Sequence, residues 1–302
     1  MFHGTMTALV TPFRNGEFNQ EIDEDAFCAH LERQIEAGVD AVIPAGTTGE
    51  AATLSFAEHK HLIGITVAQV NGRVPVIAGT GSNNTAESIE LTRAAKELGA
   101  DAALLISPYY NKPTQEGIYR HYRTVAEAVH LPQIIYNVPG RTNSNILPET
   151  VARLADIPNI IGIKDATADM AQLTRTLMLC SDKMDFFSGD DATVLPFMTL
   201  GGAGVISVVA NITPKTMRQL TEAMRSGNMD IARRAHFTLQ NLSDAMFTEA
   251  NPIPVKAACS LMGWMENELR LPLTPLTGSA LDALRATMQC FESEIEPLEL
   301  RD

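Results

Sequence analysis

Basic residues are scarce in this chain: 23 Lys plus Arg stand against 36 Asp plus Glu, a net charge of −13 over 302 residues. So acidic a surface excludes general affinity for nucleic acid or an anionic membrane, both of which need clustered cations. An anionic small molecule must then be met by local positive groups. Long hydrophobic runs are missing too, and none approaches the roughly 20 residues that span a bilayer. Yet 45% of residues are hydrophobic and 20% charged, the balance of a globular chain rather than a disordered or collagenous one. Four cysteines, Cys28, Cys180, Cys259 and Cys290, are scattered without a Cys-x-x-Cys pair or a His at ligand spacing. They read as reduced, packed thiols, and no metal requirement is expected. The first ten residues lack a basic stretch followed by an apolar segment and a small-residue cleavage site, so a cytoplasmic protein is expected.

What is present is an alternation. Apolar, β-branched-rich runs recur at 5–10, 40–45, 74–78, 101–107, 132–137, 159–164, 185–188 and 203–208, eight strand candidates in all. Between them lie stretches with helical spacing at 21–36, 56–70, 85–98, 115–129 and 215–225. Asn84 opens one helix, Gly99 closes it, and Gly38 closes an earlier one. Eight strand-helix units within residues 1–225 predict a (β/α)₈ TIM barrel; an open doubly wound sheet has the same periodicity. Strand signals then cease, and helical spacing at 230–247, 253–262 and 280–291 predicts a C-terminal helical appendage over 226–302. Asn251-Pro-Ile-Pro254 and the prolines after Leu271 divide it, because proline breaks a helix.

In a barrel, working groups gather at the carboxyl ends of the strands. The second candidate strand ends in Gly46-Thr-Thr-Gly-Glu50, where open amides and the hydroxyls of Thr47 and Thr48 suit a carboxylate, though a plain glycine-rich turn reads the same way. Gly79-Thr-Gly-Ser-Asn-Asn84 lacks the third glycine and the Walker lysine of a phosphate loop, and reads as a turn with a helix cap. The fourth and fifth strands end in Tyr109-Tyr-Asn-Lys-Pro113 and Tyr136-Asn-Val-Pro-Gly-Arg-Thr142. Their tyrosines either pack or carry protons, and Arg141, in a Pro-Gly loop, is either solvated or a carboxylate clamp. The sixth places Lys164 directly after the apolar run Asn159-Ile-Ile-Gly-Ile163. That lysine either marks the strand's exit to water or serves as a Schiff-base nucleophile, its amine kept neutral by burial. In the second case Tyr136, one strand earlier, is placed to move a proton.

These motifs, with Gly162-Ile-Lys-Asp-Ala-Thr167, Ser188-Gly-Asp-Asp191, Gly204-Val-Ile-Ser-Val208 and Asn251-Pro-Ile-Pro-Val-Lys256, stand in one order from end to end. In that set the chain resembles the dihydrodipicolinate synthase family of the pyruvate-dependent class I aldolase and N-acetylneuraminate lyase superfamily. The resemblance implies a lyase that condenses pyruvate with L-aspartate 4-semialdehyde to 4-hydroxy-tetrahydrodipicolinate, on the route to diaminopimelate and lysine. It implies no cofactor beyond the covalent imine between Lys164 and pyruvate. The pyruvate carboxylate is then expected against Thr47 and Thr48. Tyr136 is expected to relay protons through Thr47 to Tyr110, the latter reaching in from a neighbouring subunit of a homotetramer built as a dimer of dimers. Arg141 is expected to hold the semialdehyde carboxylate, with Gly189 and the backbone carbonyl of Ile206 lining the site. A lysine feedback site maps onto Ala52, His59, Asn83, Glu87 and Tyr109, with Phe56 where a histidine is often found, implying weak to moderate inhibition.

Two other readings compete. A sibling aldolase acting on a sugar acid, N-acetylneuraminate or a 2-keto-3-deoxy acid, would use the same Lys164 and Tyr136. A non-catalytic ligand-binding barrel would need neither. Arg141 and the Thr47-Thr48 pair favour the semialdehyde, because a short acid needs a charged clamp that a polyhydroxylated sugar does not.

Overall fold

The computed structural model describes residues 2–14, 20–293 and 295–301. Eight short strands run parallel: β1 (Gly4–Ala8), β2 (Ala41–Ile43), β3 (Ile77–Gly79), β4 (Ala102–Ile106), β5 (Gln133–Asn137), β6 (Ile160–Asp165), β7 (Asp185–Ser188) and β8 (Gly204–Ser207). Each pairs with its sequence neighbour, and β8 pairs back to β1 with Met6 opposite Ile206. The β2/β3 junction is held by a single parallel bridge between Val42 and Val76, with the Val42 amide donating to the Pro75 carbonyl at 3.0 Å. The sheet thereby closes as a (β/α)₈ barrel, and the open doubly wound alternative falls away.

Helices α1 (Glu24–Glu36), α2 (Phe56–Val70), α3 (Thr85–Leu98), α4 (Gln115–Ala128), α5 (Pro148–Leu154), α6 (Met170–Cys180), α7 (Val194–Thr199) and α8 (Pro214–Arg225) wrap the strands. Their ends follow the side chains. Ser55 and Glu58 form a reciprocal capping box on α2. Asn84 accepts from the Ala86 amide at the start of α3, and Gly99 closes that helix at φ 93°. Five elements depart from expectation. The helix anticipated from Glu21 begins at Glu24, because Glu21–Ile22 pairs antiparallel with Phe13–Arg14. Helices α5 to α7 gave no clear periodic signal, being 7, 11 and 6 residues long. The Pro139–Thr142 stretch, read as a loop, is one helical turn with proline at its first position, where the missing N–H costs nothing.

Two layers of apolar packing follow. Met6, Ile43, Ile77, Leu104, Ile134, Tyr136, Phe187 and Ile206 fill the barrel interior, while alternate positions such as Val42, Leu105, Ile135 and Ile163 face the surrounding helices. The later helices α9 (Met229–Ala245), α10 (Ile253–Leu261) and α11 (Gly278–Gln289) share a third core with Val205, Met217 and Leu220. Helices α9 to α11 thus pack against α8 and β8, and Asn251 and Pro252, just before α10, border the mouth.

Candidate active site

A cavity of about 670 Å³ opens at the carboxyl ends of the strands. It is lined by Thr47, Thr48, Tyr136, Arg141, Lys164 and Gly189, and it runs on past Ala52, Phe56, His59, Glu87 and Tyr109. Lys164 stands opposite Tyr136 in the β5/β6 register, so both side chains point into the barrel from one level. The Lys164 amine lies 4.4 Å from the centroid of the Tyr136 ring, and the two residues are 5% and 7% exposed. Burial brings the Lys164 amine down to about 7; buried Asp191 opposes this and Arg141 reinforces it. At neutral pH the reactive, uncharged fraction is raised by about a thousandfold over an ordinary lysine. The Tyr136 phenol is pushed up to about 12 by burial, against the pull of Arg141, and stays protonated.

Gly189 leaves room for the lysine. A Cβ there would lie 2.9 Å from Lys164 Cε and 2.8 Å from the Ala166 Cβ, so any side chain would displace the amine. Asp191 accepts from the Val208 and Val209 amides at 2.9 and 3.0 Å, fixing the end of β8 beside the lysine.

The other expected residues divide by position. Thr48 is buried and accepts from Asn251 Nδ2 at 3.0 Å; the Asn251 carbonyl accepts from Arg141 Nη2 at 2.9 Å. Asn251 thus joins the hydroxyl expected to hold one carboxylate to the guanidinium expected to hold the other. In the sequence it stood in a helix-breaking stretch and at the head of the Asn251-Pro-Ile-Pro-Val-Lys256 motif, with no site role expected of it. Ile206 has its side chain in the barrel interior and does not line the cavity. Tyr110, 88% exposed with φ 72°, also lies outside the lining of its own chain's cavity, as does Asn83. Asn83 instead donates to the Tyr109 carbonyl at 3.1 Å and accepts at its own carbonyl from Asn111, pinning the tyrosine loop to the start of α3. His59 Nε2 donates to the Gly79 carbonyl at 2.7 Å, and Glu87 accepts from Ser82 Oγ at 2.7 Å.

The amine gives a direct expectation. With excess pyruvate, imine formation should accelerate as pH rises through about 7 and then level off, because the neutral base is the reactant and its supply saturates there. Stopped-flow rates that keep climbing towards pH ~10 would mean an unperturbed lysine.

A (β/α)₈ barrel with a desolvated lysine at the floor of its mouth, a protonated tyrosine against it and an arginine at the rim has the architecture of the lysine-dependent, class I aldolase-type lyases. Residues 1–290 match the model of the Dihydrodipicolinate synthetase family, and the chain belongs to that family. The 4-hydroxy-tetrahydrodipicolinate synthase of Citrifermentans bemidjiense is 57% identical over 292 residues, covering 97% of this chain and 99% of that protein. The crystal structure of dihydrodipicolinate synthase from Aquifex aeolicus superposes with a TM-score of 0.94 at 42% identity, over 99% of this chain and 100% of the other. That of the Cyanidioschyzon merolae enzyme with lysine bound gives 0.91 at 42% identity, over 95% and 97%.

Proposed function

We propose that this cavity condenses pyruvate with L-aspartate 4-semialdehyde to 4-hydroxy-tetrahydrodipicolinate, through an imine on Lys164. The observation that carries the reading is the buried, depressed amine facing the Tyr136 ring. The neutral amine adds to the pyruvate ketone carbon and water leaves, forming C=N. The protonated imine draws electrons from the methyl carbon, which gives up a proton to become the enamine carbon; that carbon attacks the semialdehyde carbonyl, whose oxygen takes a proton. The substrate's own amino group then adds to the imine carbon, closing the ring and releasing Lys164. No separate cofactor is needed, because the imine is itself the electron sink.

Tyr136, protonated at neutral pH, acts as a proton carrier rather than a standing base, with Thr47, which lines the same cavity, as its relay partner. Tyr110 completes the relay in the mouth of a second copy, within a tetramer built as a dimer of dimers. Its exposure and left-handed backbone fit a side chain held out for that purpose. Thr47 and Thr48 take the pyruvate carboxylate, with Gly189 beside it. The cytoplasm is the compartment that suits this biosynthetic step; no helix among the described residues is long and apolar enough to cross a membrane.

The semialdehyde reading over a sugar acid rests on Arg141, the rim guanidinium tied to Asn251. Arg141→Ala should raise the KM for the semialdehyde by about 10- to 100-fold while changing imine formation at pH 8 less than about twofold. Equal loss in both steps would make Arg141 a pyruvate ligand or a structural residue.

For lysine feedback, Ala52, His59, Glu87 and Tyr109 border the same cavity as Lys164, with Asn83 bound to the Tyr109 carbonyl. Phe56, 41% exposed at the cavity wall, offers no charge or hydrogen bond to the amino acid. Millimolar L-lysine should therefore slow the initial rate only partially. An unchanged rate would remove the site.

A further inference from the structure

Two residues beyond Thr48, Glu50 sits at φ 54°, a left-handed conformation that a non-glycine residue holds only when its surroundings fix it. The surroundings are specific. Glu50 Oε1 accepts from Lys256 Nζ at 2.6 Å, with both side chains at 0% exposure, and Oε2 accepts from the Arg270 amide at 3.1 Å. Lys256 lies in the first turn of α10, five residues after Asn251, and its amine packs 4.2 Å from the Phe13 ring centroid. The segment Thr48–Glu50 is therefore joined to the segment Asn251–Lys256 at two points, the Thr48–Asn251 hydrogen bond of 3.0 Å and the Glu50–Lys256 ion pair. Two attachments remove the rotation that either alone would allow, and so aim the Thr48 hydroxyl. Stability alone is a weak reason to keep such a pair, because a buried ion pair is commonly matched by apolar side chains of similar volume.

We propose that Glu50 and Lys256 are positioning residues: their buried ion pair clamps the Thr47-Thr48 turn to the start of α10 and thereby sets the pyruvate carboxylate subsite. The proposal rests on the reading that Thr48 holds that carboxylate. Arg270 extends the clamp, since its guanidinium also binds Glu58 at 2.6 Å in the capping box of α2.

The double variant Glu50→Gln/Lys256→Met removes both charges with little change in volume. Its melting temperature should stay near that of the parent, while the KM for pyruvate rises about tenfold and kcat and the semialdehyde KM change less than about threefold. A folded double variant with an unchanged pyruvate KM overturns the clamp. Thr48→Val separates the two readings: if it leaves the pyruvate KM alone while the double variant raises it, Thr48 is not the ligand but the clamp stands. Should the double variant not fold, the parent protein decides. Borohydride trapping of the pyruvate imine should slow amide exchange in 46–54 and 253–262 together, and slowing confined to 46–54 overturns the proposal.

Discussion

Lys164→Ala should lower turnover by about 10⁴-fold or more, and borohydride in the presence of pyruvate should leave the variant without the single three-carbon adduct that the parent carries at that residue. The size follows from what the amine supplies. Without it pyruvate keeps its ketone, no cationic nitrogen draws electrons from the methyl carbon, and neither tyrosine nor arginine can replace that sink. Among the described residues, no other lysine lines the cavity. Lys256 is also buried, but Glu50 holds its amine in an ion pair with 0% of either side chain exposed; Lys164 instead faces an aromatic ring in the cavity wall. Burial lowers both amines, but at Lys256 the Glu50 carboxylate, bonded at 2.6 Å, opposes the shift and occupies the amine. Circular dichroism should show a folded variant, because truncation only enlarges a cavity that is already open. An adduct formed in Lys164→Ala, located by peptide mass mapping, would move the imine elsewhere and sink the mechanism.

The environment of Lys164 was half legible in the amino-acid sequence. An apolar run ending in a lone lysine predicts a buried strand with an amine at its tip, and β6 has that form. Tyr136 was legible for the same reason, one strand back, and eight repeats of one period pointed to a barrel, whose closure came only with the β8–β1 pairing. What escaped was long-range: Asn251 meets Thr48 across 203 positions and Arg141 across 110, and no local pattern encodes such contacts. The prolines at 252 and 254 that follow it made Asn251 read as part of a break between helices and as the head of a motif, with no contact implied. Glu50 and Lys256 were each visible inside a motif, but their pairing depends on α10 folding back to the mouth. The short helices α5 to α7 gave no clear signal because tertiary packing, rather than a long periodic stretch, holds them.

Tyr136→Phe isolates the phenol from everything else the residue does, and it should cut kcat by about 10²- to 10³-fold. The ring remains, so the Lys164 amine keeps its 4.4 Å apolar face and its lowered basicity, and the midpoint of imine formation should stay near pH 7. Only the hydroxyl proton is lost. In the parent that proton is tightly held, because burial pushes the phenol up to about 12. A group so weakly acidic is a poor base at neutral pH, yet it can hand on one proton while receiving another. Loss of the phenol should thus slow dehydration of the carbinolamine and release of the methyl proton, the steps in which a proton must move. Trapping should still yield the same adduct at Lys164, more slowly. Exchange of the pyruvate methyl protons with solvent deuterium, followed by proton NMR, should fall in step with kcat. If turnover and exchange both stay within about twofold of the parent, Tyr136 only packs against the lysine, and the proton must travel by another route.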